Sequence, residues 1–130
     1  MIQENKIIPI IKIDELKNRD KVQFNNCIID TLDLIGEELH VHLIIENCII
    51  NNLYIHACCF ANGFTLKRSI INSYIDYHMG GHNEAPIIIQ GNVFKEFFNF
   101  FDCQFHNIIE FKYNILEKGT NLLGNIKPGI

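Results

Sequence analysis

The sequence predicts an all-β protein, a parallel β-helix of about five coils with a cap at each end. Two observations carry this prediction. The motif Asn-Cys-Ile-Ile stands at residues 26–29 and again at 47–50. Large apolar residues recur every five positions, whereas an amphipathic helix has a period of about 3.6 residues and a half-buried strand a period of about 2. A five-residue period with four steps per repeat describes a coil with four short sides.

Alignment on this motif divides the middle of the chain into five rows, the last of them partial. The rows cover 22–42, 43–63, 64–86, 87–108 and 109–126, so the complete rows have 21, 21, 23 and 22 residues. A repeat of this length is typical of solenoids, in which residues one coil apart lie about 4.8 Å apart. A three-sided coil of the same length is the alternative.

Within a row, the apolar residue at the centre of each side is expected to point inward. The centres of the first two rows are Phe24, Ile29, Leu34, Leu39, Ile45, Ile50, Ile55 and Phe60. The residue two positions earlier is expected to fill the corner, as at Cys27, Leu32, Cys48, Leu53, Cys58, Ser69 and Cys103. Polar pairs such as Asn25-Asn26 and Asn51-Asn52 follow the centres, which indicates solvated turns.

These rows resemble a degenerate pentapeptide-repeat protein over roughly residues 22–122. The family pattern is a small residue, Asn or Asp, then Leu or Phe, then two polar residues. This chain keeps the central apolar residue and a small residue before it, at Cys27, Cys48, Cys58, Ser69 and Cys103. It departs in its longer coils and in Ile where Asn or Asp is usual. The resemblance implies a right-handed, four-sided parallel β-helix, a bacterial source and no catalytic residues.

We expect a single domain over residues 1–130. Residues 1–21 are interpreted as the N-terminal cap, and 22–118 as the coils, with a loop insertion at 76–86. Residues 119–130 are interpreted as the C-terminal cap. Caps are expected because the open ends of a β-helix are exposed sheet edges.

Composition and charge exclude several function classes. The net charge is −4 and no basic run occurs, so binding to nucleic-acid phosphates is not expected. The N-terminal stretch lacks the basic start and long apolar core of a signal peptide, and no stretch has transmembrane length. Five cysteines, an odd number, are interpreted as reduced thiols. The sequence therefore predicts a cytoplasmic protein that does not bind membranes.

The residue just before each centre is predicted to face solvent. On one side of the coil these positions are Ile28, Ile49, Ile70, Val93 and Ile115, and the next side adds Tyr54, Ile75 and Phe98. An exposed apolar face of this kind is rare on monomers and indicates an interaction surface. The alternatives are that a cap covers the column or that the column is core. The leading function is a non-catalytic interaction or scaffold module that binds a protein partner or itself, as a homodimer.

The insertion at 76–86 contains the candidate metal ligands Asp76, His78, His82 and Glu84. Histidine and carboxylate at short spacing are typical zinc ligands, but an ordered surface loop explains the same residues, and no cofactor is expected. Two other functions stay open. One is a small enzyme that uses this loop, with His78 or His82 as acid or base. The other, implied by the resemblance, is a DNA-mimicking protein that protects gyrase.

Cys59 is the one cysteine predicted to point outward, and it is not expected to be a nucleophile because His56 lies on another side of the coil. The remaining thiols are interpreted as buried apolar filler.

Overall fold

The structure, a computed structural model, describes residues 1–124. Its strands pair in parallel and stack as a right-handed β-solenoid of about five turns. In chain order the strands are β1 (Ile2–Glu4), β2 (Ile7–Lys12), β3 (Lys21–Asn25), β4 (Ile28–Asp33), β5 (Glu38–Leu39), β6 (His42–Glu46), β7 (Ile49–Tyr54), β8 (Cys59–Phe60), β9 (Phe64–Lys67), β10 (Ile70–Ile71), β11 (Ile75–Asp76), β12 (Ile87–Gln90), β13 (Val93–Phe94), β14 (Phe98–Asn99), β15 (Ile109–Lys112) and β16 (Ile115–Leu116). Two 3₁₀ turns lie at Ile13–Glu15 and Leu122–Gly124.

The register between coils confirms the predicted row lengths. Ile28 pairs with Ile49, and Ile49 pairs with Ile70. The partners are 21 residues apart in both pairs, which is the length of the first and second predicted rows. Ile70 then pairs with Val93, and Val93 pairs with Ile115. These partners are 23 and 22 residues apart, which are the lengths of the third and fourth predicted rows. The motif Asn-Cys-Ile-Ile recurs because its two copies lie one above the other in neighbouring coils.

The coil has four sides. Two six-stranded sheets form the first two sides, and the short pairs β11–β14 and β5–β8 lie on the other two. Each of the two coils from 22 to 60 turns four pairs of buried side chains inward. They are Val22 and Phe24, Cys27 and Ile29, Leu32 and Leu34, Leu39 and Val41, then Leu43 and Ile45, Cys48 and Ile50, Leu53 and Ile55, Cys58 and Phe60.

One corner is held by a ladder of hydrogen bonds from backbone to side chain. The backbone N–H of Cys27 donates to Sγ of Cys48 (3.4 Å), and that of Cys48 donates to Oγ of Ser69 (3.1 Å). The N–H of Ser69 then donates to Oδ1 of Asn92 (2.9 Å), and that of Asn92 to Oδ1 of Asn114 (3.0 Å). An unpaired buried N–H is costly. This corner ladder therefore requires a small side chain that accepts a hydrogen bond in each successive coil.

The residue before each member of the corner ladder has left-handed backbone geometry. Its φ lies between +47° and +71° at Asn26, Asn47, Arg68, Gly91 and Tyr113, and at the equivalent Asn5. Asn and Gly adopt this geometry most readily among the amino acids. The Asn before each Cys in the repeated motif is therefore part of the turn that brings the corner side chain inward.

The structure corrects the predicted positions of Ile75 and Phe98. Both are buried and pair with each other in β11 and β14, so they do not lie on an exposed face. The reason is one additional residue in the turn: Ile71 and Ile75 are four residues apart, whereas the equivalent inward residues Ile50 and Leu53 of the preceding coil are three apart. Because side chains alternate between faces along a strand, a change of one residue reverses which side chains are buried.

The N-terminal segment, interpreted from the sequence as a cap over residues 1–21, pairs with the first predicted row. β1 and β2 pair in register with β3 and β4, so residues 2–12 begin the solenoid as a coil of their own. Of the predicted C-terminal cap at 119–130, residues 125–130 lie outside the described part of the chain. Leu122 is buried against the last coil.

The corner ladder predicts different outcomes for two substitutions at one position. Ser69→Ala should lower the free energy of unfolding by about 1–3 kcal/mol, because it leaves the buried N–H of Cys48 without an acceptor. Ser69→Cys should cost less, since cysteine occupies this position in the two preceding coils. Urea unfolding of the two variants measures the difference. Equal stability of both variants would show that the ladder does not stabilise the fold.

Candidate functional site

A regular column of β-branched side chains lies on the surface, and we call it the isoleucine face. It consists of one outward residue from each coil: Ile7, Ile28, Ile49, Ile70, Val93 and Ile115. Ile49 and Ile70, in the middle of the column, are 37% and 36% exposed, and Ile115 near its end is 60% exposed. The structure thus places the five predicted residues of this column in one stack and adds Ile7.

Polar ladders border the isoleucine face on both sides. On one side the Asn51 amide donates to Oδ1 of Asp30 (3.2 Å), and the Asn72 amide donates to Oδ1 of Asn51 (2.9 Å). On the other side the Asn26 amide donates to Oδ1 of Asn5 (3.1 Å). The apolar surface between them is a flat stripe one residue wide and about 24 Å long, for six strands about 4.8 Å apart.

An aromatic column lies on the next side of the coil, where Ile75 and Phe98 were predicted. Tyr54 and Tyr74 are exposed, and the Tyr74 ring stacks on Phe97 with centroids 6.3 Å apart. Tyr54, Tyr74 and Ile35 line a shallow cleft of about 230 Å³, whose wall also includes His56 and Asp76. Tyr54 is thus exposed as predicted, whereas Tyr74 and Phe97 lie one position before the predicted Ile75 and Phe98.

Beside this cleft, His56, Asp76 and His78 bring three possible metal ligands together. Each residue has one ligand atom within 4.8 Å of those of the other two. Nδ1 of His56 lies 3.4 Å from Oδ2 of Asp76, and the two imidazole centroids are 5.4 Å apart. The His78 ring also packs on Phe101, with centroids 5.2 Å apart. All three ligand residues are partly exposed.

The predicted loop at 76–86 is part of the solenoid wall, and this positions the cluster. Tyr77 and Asn83 face inward and are buried, so Asp76 and His78 on either side of Tyr77 face outward. The Tyr77 hydroxyl donates to Oδ1 of Asn83 (2.6 Å), and the Asn83 amide donates to the carbonyl oxygen of Gln104 (2.9 Å). A Cβ at Gly80 would collide with the Tyr77 ring, so glycine is required at this bend.

His82, Glu84 and His106 form a second cluster of possible ligands. The two imidazoles stack with centroids 5.9 Å apart and planes 16° from parallel. The ligand atoms of the three residues also lie within 4.8 Å of one another, but all three residues are exposed. None of the three residues lines the cleft that contains His56 and Asp76 in its wall.

The four predicted ligands therefore divide between two clusters and do not converge. Asp76 and His78 are completed by His56 from the preceding coil, and His82 and Glu84 by His106 from the following coil. Both added histidines were absent from the predicted set. Alignment of the rows could have identified His56, because it precedes His78 in the sequence by about the length of one coil.

The cysteines have no features of nucleophiles. Burial raises the pKa of Cys48 to about 11 and that of Cys103 to about 12, and it raises the pKa of Cys58 well above its usual value. Cys59 is the least buried, and partial burial raises its pKa as well. These thiols keep their protons at neutral pH, whereas a nucleophilic cysteine needs the thiolate. As the corner ladder shows, Cys27 and Cys48 also make hydrogen bonds and are more than filler.

A cleft of about 590 Å³ lies away from these groups. It runs between residues 13–20 and 37–41 and is lined by Lys17, Arg19, Asp20, Glu37 and Glu38 among others. Its charges have mixed signs, and the Lys17–Asp14 ion pair beside it is exposed. No set of these side chains points to a particular ligand.

Comparison of this chain with protein-family models, with curated proteins and with solved structures found no match. Within residues 1–124, no helix combines the length and apolar character needed to cross a lipid bilayer. The proposals below therefore depend on this chain's own residues.

The raised thiol pKa values predict how stability depends on pH. The free energy of unfolding should stay level near neutral pH and fall as pH rises from 9.0 towards about 11, because folded Cys48 keeps the proton that the unfolded thiol loses. Cys48→Ser should make this fall shallower by about 1–2 kcal/mol. Urea unfolding of both proteins at about pH 7.5 and about pH 10.5 measures this fall in the free energy of unfolding. A fall of the same size in both proteins would contradict the prediction.

Proposed function

We propose that this protein is a non-catalytic interaction module that self-associates through the isoleucine face. The observation that carries the proposal is the unbroken stack of outward β-branched residues in six successive strands. Contiguous apolar surface on a soluble protein indicates an interaction site more often than chance exposure. A second copy of the same flat stripe is complementary to it in shape and in polarity.

The alternative that a cap covers this face has no support in residues 1–124. The N-terminal segment, which was the candidate cover, extends the face by one position through Ile7, which is 81% exposed. Ile28 and Ile70 also keep about two fifths of their surface in water. The alternative that the column is core fails for the same reason.

A two-fold arrangement explains how one stripe binds another. In a two-fold dimer the same patch is used by both copies, so each isoleucine contacts an isoleucine or valine of the other stripe. The flanking ladders that contain Asn51 and Asn26 place amide groups at the rim, where a polar border is usual. A stripe one residue wide buries less than a standard interface of about 800 Å² per partner, so we expect a weak dimer.

We further infer that the chain is a pentapeptide-repeat-like protein that acts in a bacterial cytoplasm. The four inward pairs of side chains per coil and the small corner residues support this relation. The DNA-mimic alternative has less support, because it requires stacked acidic side chains. The outward column beside the isoleucine face instead contains Asp30, Asn51, Asn72, Lys95 and Glu117, and its acidic ends are separated by two amides and by Lys95, which pairs with Glu117.

Ile49→Glu should abolish self-association, because it places a charge in the middle of the isoleucine face of each copy. Light scattering coupled to size exclusion, from about 10 μM to about 1 mM protein, measures the solution mass over the range in which small interfaces dissociate. We expect a concentration-dependent dimer for the natural sequence and a monomer for the variant at every concentration.

Ile108→Glu is the matched control, since Ile108 is 63% exposed and lies outside the isoleucine face. It should leave the dimer intact. Cooperative urea unfolding of Ile49→Glu would verify that the variant is folded. A monomeric natural protein, or equal loss of mass in both variants, would overturn the proposal.

A further inference from the structure

We propose that His56, Asp76 and His78 form a binding site for a divalent transition-metal ion of the zinc type. Two imidazoles and one carboxylate are a common ligand set for zinc and for non-haem iron. The three residues come from neighbouring coils, which the backbone hydrogen bond from Ala57 N–H to the His78 carbonyl (2.9 Å) holds in register. This inference does not depend on the isoleucine face, which lies on another side of the coil.

The spacing of the ligand atoms suits a metal ion. In a tetrahedral site with metal–ligand distances of about 2.0–2.1 Å, ligand atoms lie about 3.3–3.4 Å apart. The distance of 3.4 Å between Nδ1 of His56 and Oδ2 of Asp76 already has this value. The ligand atom of His78 lies within 4.8 Å of those of the other two residues, so a small closure of the three side chains would complete the set.

An unsatisfied polar atom points to the same position. Nδ1 of His56 is shielded from solvent and makes no hydrogen bond, although a carboxylate oxygen lies 3.4 Å away. At that distance and without alignment, an N–H···O bond is weak at best. A cation coordinated by both atoms would satisfy the imidazole nitrogen and the carboxylate together.

The other oxygen of Asp76 is held by neighbouring groups. Oδ1 of Asp76 accepts hydrogen bonds from the backbone N–H of His78 (2.9 Å) and from the Asn99 amide (3.3 Å). These bonds leave Oδ2 directed to His56. Outer hydrogen bonds of this kind orient metal ligands and raise affinity. The packing of His78 on Phe101 restricts the second imidazole in a similar way.

The fourth coordination position is open for water or a small ligand. His56 and Asp76 form part of the wall of the cleft that Tyr54 and Tyr74 line, and both side chains remain about two fifths exposed. Three protein ligands with an open position are typical of zinc sites that bind a further molecule. Among the described residues, the second cluster lacks both the unsatisfied nitrogen and the outer hydrogen bonds of this one, so we assign the site to the first cluster.

Titration calorimetry of the full chain with Zn²⁺, after treatment with a chelator, tests the assignment. We expect one tight equivalent for the natural protein. His78→Ala and Asp76→Asn should each weaken binding by more than about 100-fold, since loss of a ligand exceeds the 10–100-fold effect of outer-shell changes. Asn99→Ala, which removes an outer hydrogen bond, should weaken binding by about 10-fold.

The double variant His82→Ala, His106→Ala is the matched control and should bind Zn²⁺ as the natural protein does. NMR of the natural protein adds a readout that does not depend on how the variants fold, because Zn²⁺ should shift the imidazole signals of His56 and His78. Absence of tight binding would overturn the proposal. So would loss of binding in the double variant, or shifts confined to His82 and His106.

Discussion

The backbone N–H groups at the corners of the coil are the constraint on which the rest of the structure depends. A four-sided solenoid turns its chain inward at every corner, so some of these groups are removed from water and cannot pair within a sheet. The corner ladder solves this with the side chain of the next coil, from Cys48 through Ser69 to Asn92. Cysteine, serine and asparagine can share the position because each accepts this hydrogen bond. Stacking of coils is therefore a condition for satisfying the chain's own polar groups, in addition to burying apolar surface.

Spacing alone predicted the coil lengths and most of the core, because inward positions such as Ile29 and Ile50 repeat at the length of a coil. It failed where one residue is added to a turn of the coil. Between Ile71 and Ile75 the sequence offers an apolar residue one place before the expected one, and only the pairing of Ile75 with Phe98 decides which residue is inside. An error of one residue there placed Ile75 outward, whereas the structure has Asp76 at the outward position equivalent to Tyr54.

The candidate metal ligands were predicted only in part, for a related reason. The prediction searched one insertion for a complete set, as though the loop closed on itself. In a solenoid, however, residues one coil apart are nearer than residues a few positions apart on opposite faces, so Asp76 and His78 are completed by His56. In this fold, candidate sites are better sought between rows than within them.

The irregular third coil is where fold and site meet. It is longer than the coil before it. The paired residues Phe64 and Ile87 are 23 positions apart in the sequence, whereas the paired residues Leu43 and Phe64 of the preceding coil are 21 apart. One of its two additional residues lies in the turn between Ile71 and Ile75, and the other lies in the bend that includes Gly80. The bend is stabilised from inside by the buried Tyr77 and Asn83, which are joined by a hydrogen bond. With Tyr77 held inward, the alternation of side chains turns Asp76 and His78 outward beside His56. The same packing that accommodates a break in the repeat therefore aligns three ligand side chains at its surface.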